Sequence, residues 1–352
     1  MMPSKRMSLA VLVMGLAALV GCGSSSTHTA YVTLPNSNAV AAYRIANHSA
    51  HFTTIVGSPY PAGTSPSSVL VSPSGRQVYV ANQGDNEIEL FSIDRTIGSL
   101  LEVPPRTSTG LAPSSLVMDT AGSFLFALNQ VSGSISSYSI NSGSGALTPV
   151  AGSPFPTFPN PVTLALTPSG KFLYVVNANL ASIFAYTVTS GVVQPVGPPV
   201  QVGAGPFAIT VDPGEKFVYV ANLADNTVSV LSINPSTGAL TVVGAYATGT
   251  RPTSIAVLGQ FLYVVNQGAG TISVFSVDSS TGVLTQTAKS PFTASNTPLF
   301  AVIDPNGKFL YTASQTSSSI SAQSIDPSTG DLTSTSESAS TIVAPSSMSV
   351  TK

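Results

Sequence analysis

The sequence predicts an all-β protein, a seven-bladed β-propeller with four antiparallel strands in each blade. The first reason is a repeat, because an aromatic residue followed by apolar residues returns seven times at spacings of 44 to 48 residues. The second reason is that turn-forming residues separate these short apolar runs. A period of this length in a strand-forming composition is typical of propellers. The repeat is anchored at Tyr31, Tyr79, Phe126, Tyr174, Tyr219, Tyr263 and Tyr311.

The repeat that begins at Gly205 shows how one unit produces four strands. Residues 206–211 form an apolar run, and the continuous hydrophobicity of residues 217–222 predicts a strand buried on both faces. Residues 227–233 alternate apolar and polar side chains, and residues 239–245 form the outermost strand. The segments between them contain the Asp, Pro, Gly, Asn and Ser residues that tight turns require. Each unit therefore predicts one four-stranded blade.

The two ends of the chain predict how the ring closes. The first repeat, from residue 30, begins at the second-strand phrase and lacks a first strand. The last segment, residues 345–350, matches the first-strand sequence of residues 113–118. We therefore expect the C-terminal segment to be the inner strand of a blade whose other three strands are N-terminal, which removes two free sheet edges. The predicted propeller domain is residues 30–352.

The N-terminal residues predict export and a lipid anchor. A basic start precedes the apolar residues 7–20, which are too few to span a bilayer comfortably. Leu19-Val20-Gly21-Cys22 resembles the lipobox of bacterial lipoproteins, in which the cysteine is lipidated; the alternative is an ordinary export signal with an incidental cysteine. We expect a signal peptide over 1–21, then a lipidated Cys22 and a flexible tether over 22–29.

This anchor predicts a place in the cell envelope, attached to a membrane through the lipid. In similar lipoproteins an aspartate after the cysteine marks retention at the inner membrane, and Gly23 occupies that position here. We therefore expect the outer membrane, on its periplasmic or its surface side.

The composition restricts the partners and cofactors. Only 7% of residues are charged and the net charge is −2, which argues against a nucleic-acid partner. His48 and His51 have the His-x-x-His spacing, but no cysteine or carboxylate completes a metal site there, and His28 falls in the tether. We predict no metal and no cofactor. No segment indicates an oligomer interface, and a monomer is expected.

Polar side chains recur at the end of the second strand of each repeat. In a propeller these strand ends share a face with the blade-to-blade connections, where ligands usually reach the ring. A circle of amides could bind a sugar or a peptide, and Arg251 could bind an anion on the same face as Asp85 and Asp225. The alternative is that these side chains bond the backbone of their own turns. The candidate amides are Asn82, Asn129, Asn177, Asn222 and Asn266.

Other side chains on this face have two interpretations. Aromatic residues in the connecting loops could stack on a sugar, or they could fill gaps between blades. These aromatic residues are Tyr60, Phe155, Phe158 and Phe292. Glu87 and Glu89 alternate along a third strand, and we expect both to face solvent.

Two phrases carry a resemblance to a known family. PSGKFLYVVN at 168–177 and ISVFSVDSSTGVLT at 272–285 resemble the bacterial seven-bladed lactonase-like propellers, which include propeller-type 6-phosphogluconolactonases. YVAN and YVVN also resemble the YVTN repeat of surface-associated propellers. The resemblance covers residues 30–352. It implies the propeller fold and, if it extends to activity, metal-independent hydrolysis of a lactone.

The resemblance carries no catalytic residue over to this chain. Enzymatic members are expected to place His, Glu and Arg around the central mouth, whereas the mouth positions here hold no strong base. We therefore expect an envelope-anchored module that binds or scaffolds an unknown carbohydrate or protein ligand. The alternative is a hydrolase that opens a sugar-acid lactone. The mouth positions are Ser67, Ser68, Ser114, Ser115, Val162, Thr163, Phe207, Ala208, Thr253, Ser254, Leu299, Phe300, Ser346 and Ser347.

Overall fold

The computed structural model describes residues 27–294 and 297–351 as a seven-bladed β-propeller. Seven antiparallel sheets surround one axis; in six of them the strands follow chain order from the axis outward, and in the seventh the C-terminal strand is innermost. One short 3₁₀ turn, Pro35–Ser37, joins two strands of the first sheet. The predicted fold class and blade number are confirmed.

The first three blades contain the following strands. Blade 1 consists of β1 (Thr27–Leu34), β2 (Ala39–Ala46), β3 (Phe52–Thr54), β4 (Tyr60–Pro61) and the C-terminal β32 (Ser347–Val350). Blade 2 consists of β5 (Pro66–Val71), β6 (Gln77–Asn82), β7 (Glu87–Ile93), β8 (Leu100–Glu102) and β9 (Thr107–Ser108). Blade 3 consists of β10 (Pro113–Met118), β11 (Phe124–Asn129), β12 (Ser134–Ile140), β13 (Leu147–Pro149) and β14 (Phe155–Pro156).

The other four blades repeat the same order. Blade 4 consists of β15 (Pro161–Leu166), β16 (Phe172–Asn177), β17 (Ser182–Thr189) and β18 (Val192–Gln201). Blade 5 consists of β19 (Pro206–Val211), β20 (Phe217–Asn222), β21 (Thr227–Ile233) and β22 (Leu240–Ala247). Blade 6 consists of β23 (Pro252–Leu258), β24 (Phe261–Asn266), β25 (Thr271–Val277), β26 (Leu284–Gln286) and β27 (Phe292–Thr293). Blade 7 consists of β28 (Pro298–Ile303), β29 (Phe309–Ser314), β30 (Ser319–Ile325) and β31 (Leu332–Ser340).

The second strand of each blade forms the centre of the core. These strands are apolar on both faces because a neighbouring blade packs on each side, and β6, β16, β20, β24 and β29 are buried at every residue. The repeat tyrosine adds a polar link between blades. The Tyr79 hydroxyl in blade 2, for example, donates to the Gly145 carbonyl in blade 3 at 2.8 Å.

A β-bulge near the start of the inner strand recurs in blades 2 to 7. In β5 the pairing register shifts between Pro66 and Ser68, which leaves Ser67 as the extra residue. The same shift follows the first proline of the other five inner strands. Bulges re-aim side chains at sheet ends, and here the bulged residues border the central cavity.

The C-terminal strand closes the ring as predicted. It pairs antiparallel with β1 from Ala30 opposite Val350 to Thr33 opposite Ser347. The Thr351 N–H donates to the Thr29 carbonyl at 2.9 Å. Strands from the two chain ends therefore belong to one sheet, and no disulfide is needed to hold it.

The predicted tether is wrong in its last three residues. Strand β1 begins at Thr27 rather than residue 30, because Thr27, His28 and Thr29 pair with β2. His28 is only 6% exposed, and its Nε2 lies 2.8 Å from Nδ2 of Asn306 in blade 7. The predicted signal peptide and Cys22 lie outside the described residues. Within the described ranges, no helix has the length and apolar character needed to cross a membrane.

Candidate functional site

A cavity of about 300 Å³ lies on the propeller axis, at the face that carries the blade-to-blade connections. All seven inner strands or the residues just before them contribute to its wall. The predicted mouth positions are therefore confirmed as the lining. No charged side chain is among the described residues that line it.

The cavity wall is polar across blades 1 to 3 and apolar at the bulged positions of blades 4, 5 and 7, where blade 7 contributes Leu299. Three consecutive blades present serine hydroxyls at the bulged position or its equivalent, Ser346 in blade 1, Ser67 in blade 2 and Ser114 in blade 3. Blades 4 and 5 present Val162 and Phe207 at that position, and Phe207 is 39% exposed. Because the two sides differ, the cavity suits a small molecule with one polar and one apolar side.

Blade 6 places a cation and an unsatisfied hydroxyl at this mouth. Arg251 directly precedes β23; its N–H donates to the Asn226 side chain at 2.8 Å, and its own side chain is exposed. The ion pairs formed within 27–294 and 297–351 do not include it. Two residues later, Thr253 borders the cavity with a buried Oγ1 that has no hydrogen-bond partner in the structure.

Asp85 and Asp225 hold the connecting loops that lead to the mouth. The Asp85 carboxylate accepts the Thr64 N–H at 2.5 Å, and that bond lowers the pKa of the Asp85 carboxyl. The Asp225 carboxylate accepts the Ala204 N–H at 2.6 Å in blade 5. Asp225 also precedes Asn226, whose amide holds the backbone of Arg251, so the carboxylate and the guanidinium belong to adjacent turns.

The five asparagines are not part of the mouth, which corrects the prediction that they form a ligand circle. All five are fully buried. Four donate to third-strand side chains of their own blade, as Asn222 Nδ2 does to Ser229 Oγ at 2.8 Å. Asn177 donates instead to the Pro159 carbonyl at 2.8 Å. The amides are therefore engaged within the protein, although four of them bond side chains rather than the turn backbone that the alternative expected. They are Asn82, Asn129, Asn177, Asn222 and Asn266.

Glu89 is fully buried, which corrects its predicted solvent exposure. The Arg106 guanidinium donates to Glu89 at 2.9 Å and to Glu87 and Glu102 at 2.8 and 2.9 Å. The Gly63 N–H also donates to Glu89 at 2.9 Å. Burial raises the pKa of the Glu89 carboxyl in spite of these donors. The sequence contained a signal for this cluster, since two alternating glutamates in a low-charge chain need a cation nearby.

The four loop aromatics separate into two groups. Tyr60, Phe155 and Phe292 lie on the short outer strands β4, β14 and β27 and pack against blade cores. Phe158 is 48% exposed and stacks on Phe184 with ring centroids 4.1 Å apart. Only this residue of the four remains a candidate for ligand contact. The sequence analysis did not single out Phe184, which occupies a position held by serine in four other blades.

The histidines form no metal site in the described ranges. His51 Nδ1 lies 2.8 Å from Glu337 of blade 7, which links the first and last blades. Across residues 27–294 and 297–351, no three His, Cys, Asp or Glu side chains are placed to hold a metal ion.

The arrangement can polarise a carbonyl group. A guanidinium and neighbouring hydroxyls are hydrogen-bond donors that stabilise the oxygen of an ester as negative charge develops on it. A carboxylate in the adjacent turn can accept a proton from water. These are the elements that hydrolysis of a cyclic ester requires.

Comparison with known proteins identifies the family. The sequence profile of the family described as "Lactonase, 7-bladed beta-propeller" matches residues 23–165, 155–257 and 254–351. No curated protein matches this chain.

Solved structures share the fold at low sequence identity. A protein from Bacteroides fragilis, provisionally assigned as a 6-phosphogluconolactonase, superposes with a TM-score of 0.82 and 22% identity, covering 94% of this chain and 99% of the other. A second such protein, from Bacteroides uniformis, gives 0.81 and 20%, covering 93% and 99%. The periplasmic gluconolactonase PpgL of Pseudomonas aeruginosa gives 0.79 and 18%, also covering 93% and 99%.

The family match corrects the expected function. The sequence favoured a binding or scaffolding module, because the mouth lacks a strong base. A profile that matches the chain from residue 23 to residue 351 overturns that preference and favours the alternative, a lactone hydrolase. The chain belongs to the lactonase family of seven-bladed β-propellers.

Proposed function

We propose that this protein hydrolyses a lactone in the central cavity. The observation that carries the proposal is the combination of lactonase family membership with an axial cavity lined by all seven blades, one of whose inner strands is directly preceded by Arg251. The structural neighbours from Bacteroides and Pseudomonas are described as acting on gluconolactones. A gluconolactone is therefore the first substrate to test.

In this mechanism water adds to the lactone carbonyl and the ring C–O bond then breaks. The Arg251 guanidinium stabilises the developing oxyanion, because it is an exposed donor directly before β23, whose residues Thr253 and Ser254 line the cavity. Asp225 takes a proton from the attacking water and returns it to the alkoxide that leaves the ring. The products are a hydroxy acid and no other fragment.

Substitution of Arg251 and Asp225 tests these roles. We expect Arg251→Ala to lower kcat/KM for a hydrolysed lactone by about 100-fold, the effect of removing one oxyanion donor. Asp225→Asn keeps the size of the side chain but removes the base, and we expect a loss of about 100-fold as well. Proton release at constant pH measures the rate, corrected for spontaneous hydrolysis.

Arg95→Ala is the matched control, because Arg95 is exposed in a third-to-fourth strand turn on the opposite face. It should leave kcat/KM unchanged. Equal rates for the wild type and Arg251→Ala would rule out the proposed site. Absence of turnover for every lactone tested would rule out the proposed function.

We also propose that Cys22 carries a lipid anchor. The support is the lipobox-like Leu19-Val20-Gly21-Cys22. Strand β1 begins at Thr27 on the face opposite the cavity, so the anchor would leave the mouth directed away from the membrane. Palmitate labelling in a bacterial host should mark the wild type and not Cys22→Ser. Equal labelling of both proteins would contradict the anchor.

A further inference from the structure

Blade 4 departs from a contact that four other blades share. In those blades a glycine lies three residues before the first proline of the inner strand, directly against the buried asparagine. A Cβ atom on this glycine would lie no more than 2.7 Å from the asparagine side chain, so no larger residue fits. The glycines are Gly63, Gly110, Gly203 and Gly249. Blade 4 has Phe158 at this position.

A second residue difference in blade 4, on its third strand, makes room for Phe158. The third-strand residue that faces this loop is Glu89 in blade 2 and serine in blades 3, 5 and 6, but it is Phe184 in blade 4. The Phe158 ring stacks on Phe184 with an interplanar angle of 25°. Asn177 then turns its amide to the Pro159 carbonyl at 2.8 Å. Two aromatic residues therefore replace a glycine and a polar residue as a pair.

The stack does more than fill space, because Phe158 remains 48% exposed. Neighbouring loop residues add further exposed apolar surface. Exposure is 53% for Leu111, 67% for Val131 and 47% for Leu180. We call this surface, Leu111, Val131, Phe158 and Leu180, the apolar rim.

Backbone hydrogen bonds join the members of the apolar rim. The Val131 N–H donates to the Leu111 carbonyl at 3.2 Å, and the Thr157 N–H donates to the carbonyl of Gly133 in the same turn as Val131 at 2.8 Å. Leu180 is joined through Asn177, whose Oδ1 accepts the Leu180 N–H at 3.0 Å.

The apolar rim lies on loops of blades 3 and 4, and blade 4 also contributes to the apolar part of the cavity wall. Val162 follows Phe158 by four residues and lines the cavity, and Phe207 lines it from the next blade. The serine side of the cavity belongs to blades 1 to 3, and Arg251 lies in blade 6. A ligand whose polar head lies at the serines has Val162 and Phe207 across the cavity, and the exposed rim residues lie on the loops beyond them.

We propose that the substrate is a lactone with an apolar chain or ring substituent, which lies along Val162 and Phe207 and onto the apolar rim. This inference rests on the proposed lactone hydrolysis and names its substrate class. It distinguishes the site from one built for a phosphorylated or fully hydroxylated sugar lactone.

The distribution of cations supports this choice. A phosphate monoester carries a charge of about −2 and is bound by clusters of basic groups. Arg251 is the one basic residue that the described chain places beside the inner strands at the mouth, and Arg106 is held by three glutamates. Other basic residues occupy turns on the opposite face, including Arg76, Arg95, Lys171, Lys216 and Lys308.

A series of δ-lactones with alkyl chains of increasing length tests the proposal. We expect kcat/KM to rise about two- to fourfold for each methylene that reaches the rim, and to exceed that for glucono-δ-lactone and its 6-phosphate. The double variant Phe158→Gly/Phe184→Ser recreates the residues of blades 3, 5 and 6, and so it is designed to fold. It should reduce the ratio of long-chain to short-chain kcat/KM to about one.

Leu101→Ala is the control, because Leu101 is 72% exposed on the outer strand β8 and should leave the chain-length dependence intact.

Binding of the same lactones is measured by calorimetry, independently of turnover. If nothing is hydrolysed but long-chain lactones bind more tightly than short ones only when Phe158 is present, lactone hydrolysis fails and the apolar subsite stands. A preference for the phosphorylated lactone overturns the inference and leaves lactone hydrolysis standing. The inference is also overturned if kcat/KM does not depend on chain length, or if that dependence is unchanged in the double variant. The apolar rim would then be assigned to a protein partner.

Discussion

At the scale of single residues, Glu89 carries the largest local electrostatic cost in the described chain. Its carboxyl replaces a serine of other blades and still accepts the loop N–H, here from Gly63. The exchange introduces a charge with no exposed surface. Arg106 compensates this charge by reaching across from the blade-to-blade connection at 2.9 Å. A buried carboxylate without such a partner is strongly destabilising.

We therefore expect Arg106→Ala to lower the free energy of unfolding by about 3 kcal/mol. This is the low end of the range for breaking a buried pair, because Arg106 is 31% exposed and water can reach the site. Urea denaturation followed by circular dichroism measures the change. The double variant Arg106→Ala/Glu89→Ser should regain most of the loss, since serine is the residue of four other blades. A double variant no more stable than Arg106→Ala would contradict this account.

The pH dependence of stability follows from the raised pKa of Glu89. The folded protein binds the proton of the Glu89 carboxyl more tightly than the unfolded chain does. Protonation of Glu89 therefore favours the folded state most below the unfolded pKa of about 4.3. That contribution is lost as the pH rises through the folded pKa. From pH 4 to pH 7, the free energy of unfolding of the wild type should fall relative to that of Glu89→Gln. Parallel denaturation curves at four pH values measure the difference, and a constant difference would contradict it.

At the scale of elements, the second-strand tyrosine of blades 1, 2 and 4 joins its blade to the next. Tyr31, Tyr79 and Tyr174 each donate to a glycine carbonyl in the following blade at 2.8 to 3.0 Å. Blade 3 has Phe126 instead, and there the Ser137 hydroxyl donates to the Gly191 carbonyl at 2.7 Å. The hydrogen bond from blade 3 to blade 4 is thus made by the third strand rather than the second. Burial raises the pKa of all these tyrosines, which keeps the hydroxyls protonated as donors.

We expect Tyr79→Phe and Ser137→Ala to destabilise the protein by a similar amount, about 1–2 kcal/mol each. Each substitution removes one buried hydrogen bond and leaves a carbonyl without its donor. Thermal and urea denaturation measure both effects. The double variant Phe126→Tyr/Ser137→Ala should be more stable than Ser137→Ala, because it restores the tyrosine link of the other blades. No recovery would show that the link is specific to each blade.

At the scale of the whole molecule, stability depends on ring closure. Strand β32 is held by four residue pairs with β1 and by contacts with the neighbouring inner strand, such as the Val71 N–H donating to Ser349 at 3.1 Å. Met348 also enters the core shared by blades 1 and 7. Without β32, the inner edges of β1 and β5 lose their partners and the blades on either side lose a common surface.

Deletion of residues 345–352 should therefore lower the melting temperature by on the order of 10 °C or more and expose sticky sheet edges. Calorimetry and size-exclusion chromatography measure the melting temperature and the resulting association. Met348→Ala is the matched comparison, because it removes core packing but keeps the strand, and it should cause a smaller loss. A truncated protein that melts like the wild type would show that the ring does not depend on its closing strand.

Much of this architecture is predictable from local sequence. The seven repeats and their turn residues predict the blades because each strand and turn depends on residues within a few positions of it. The C-terminal strand is predictable because residues 345–350 resemble the inner-strand start at 113–118. The lining of the cavity follows from the same periodicity, since the residues after each inner-strand proline occupy equivalent places around the axis.

Partnerships between blades and loops could not be read from the sequence. The burial of the asparagines depends on a glycine that precedes them by about 20 residues. Glu89 alternates as an exposed residue would, but Arg106 in the next connection turns it into a buried partner. The exposed Phe158 requires Phe184, which lies 26 positions later. Neither the alternation along a strand nor the repeat of about forty-seven residues predicts any of these three pairings.

The sequence by itself determined the ring, the number of blades and the strand that closes it, because these depend on short-range propensity repeated at a regular interval. Only the tertiary structure decided which polar groups remain available at the mouth. Burial and hydrogen bonding are set by the loop or blade that packs against each side chain. In this chain that packing buried five asparagines and left Arg251 and the apolar rim exposed.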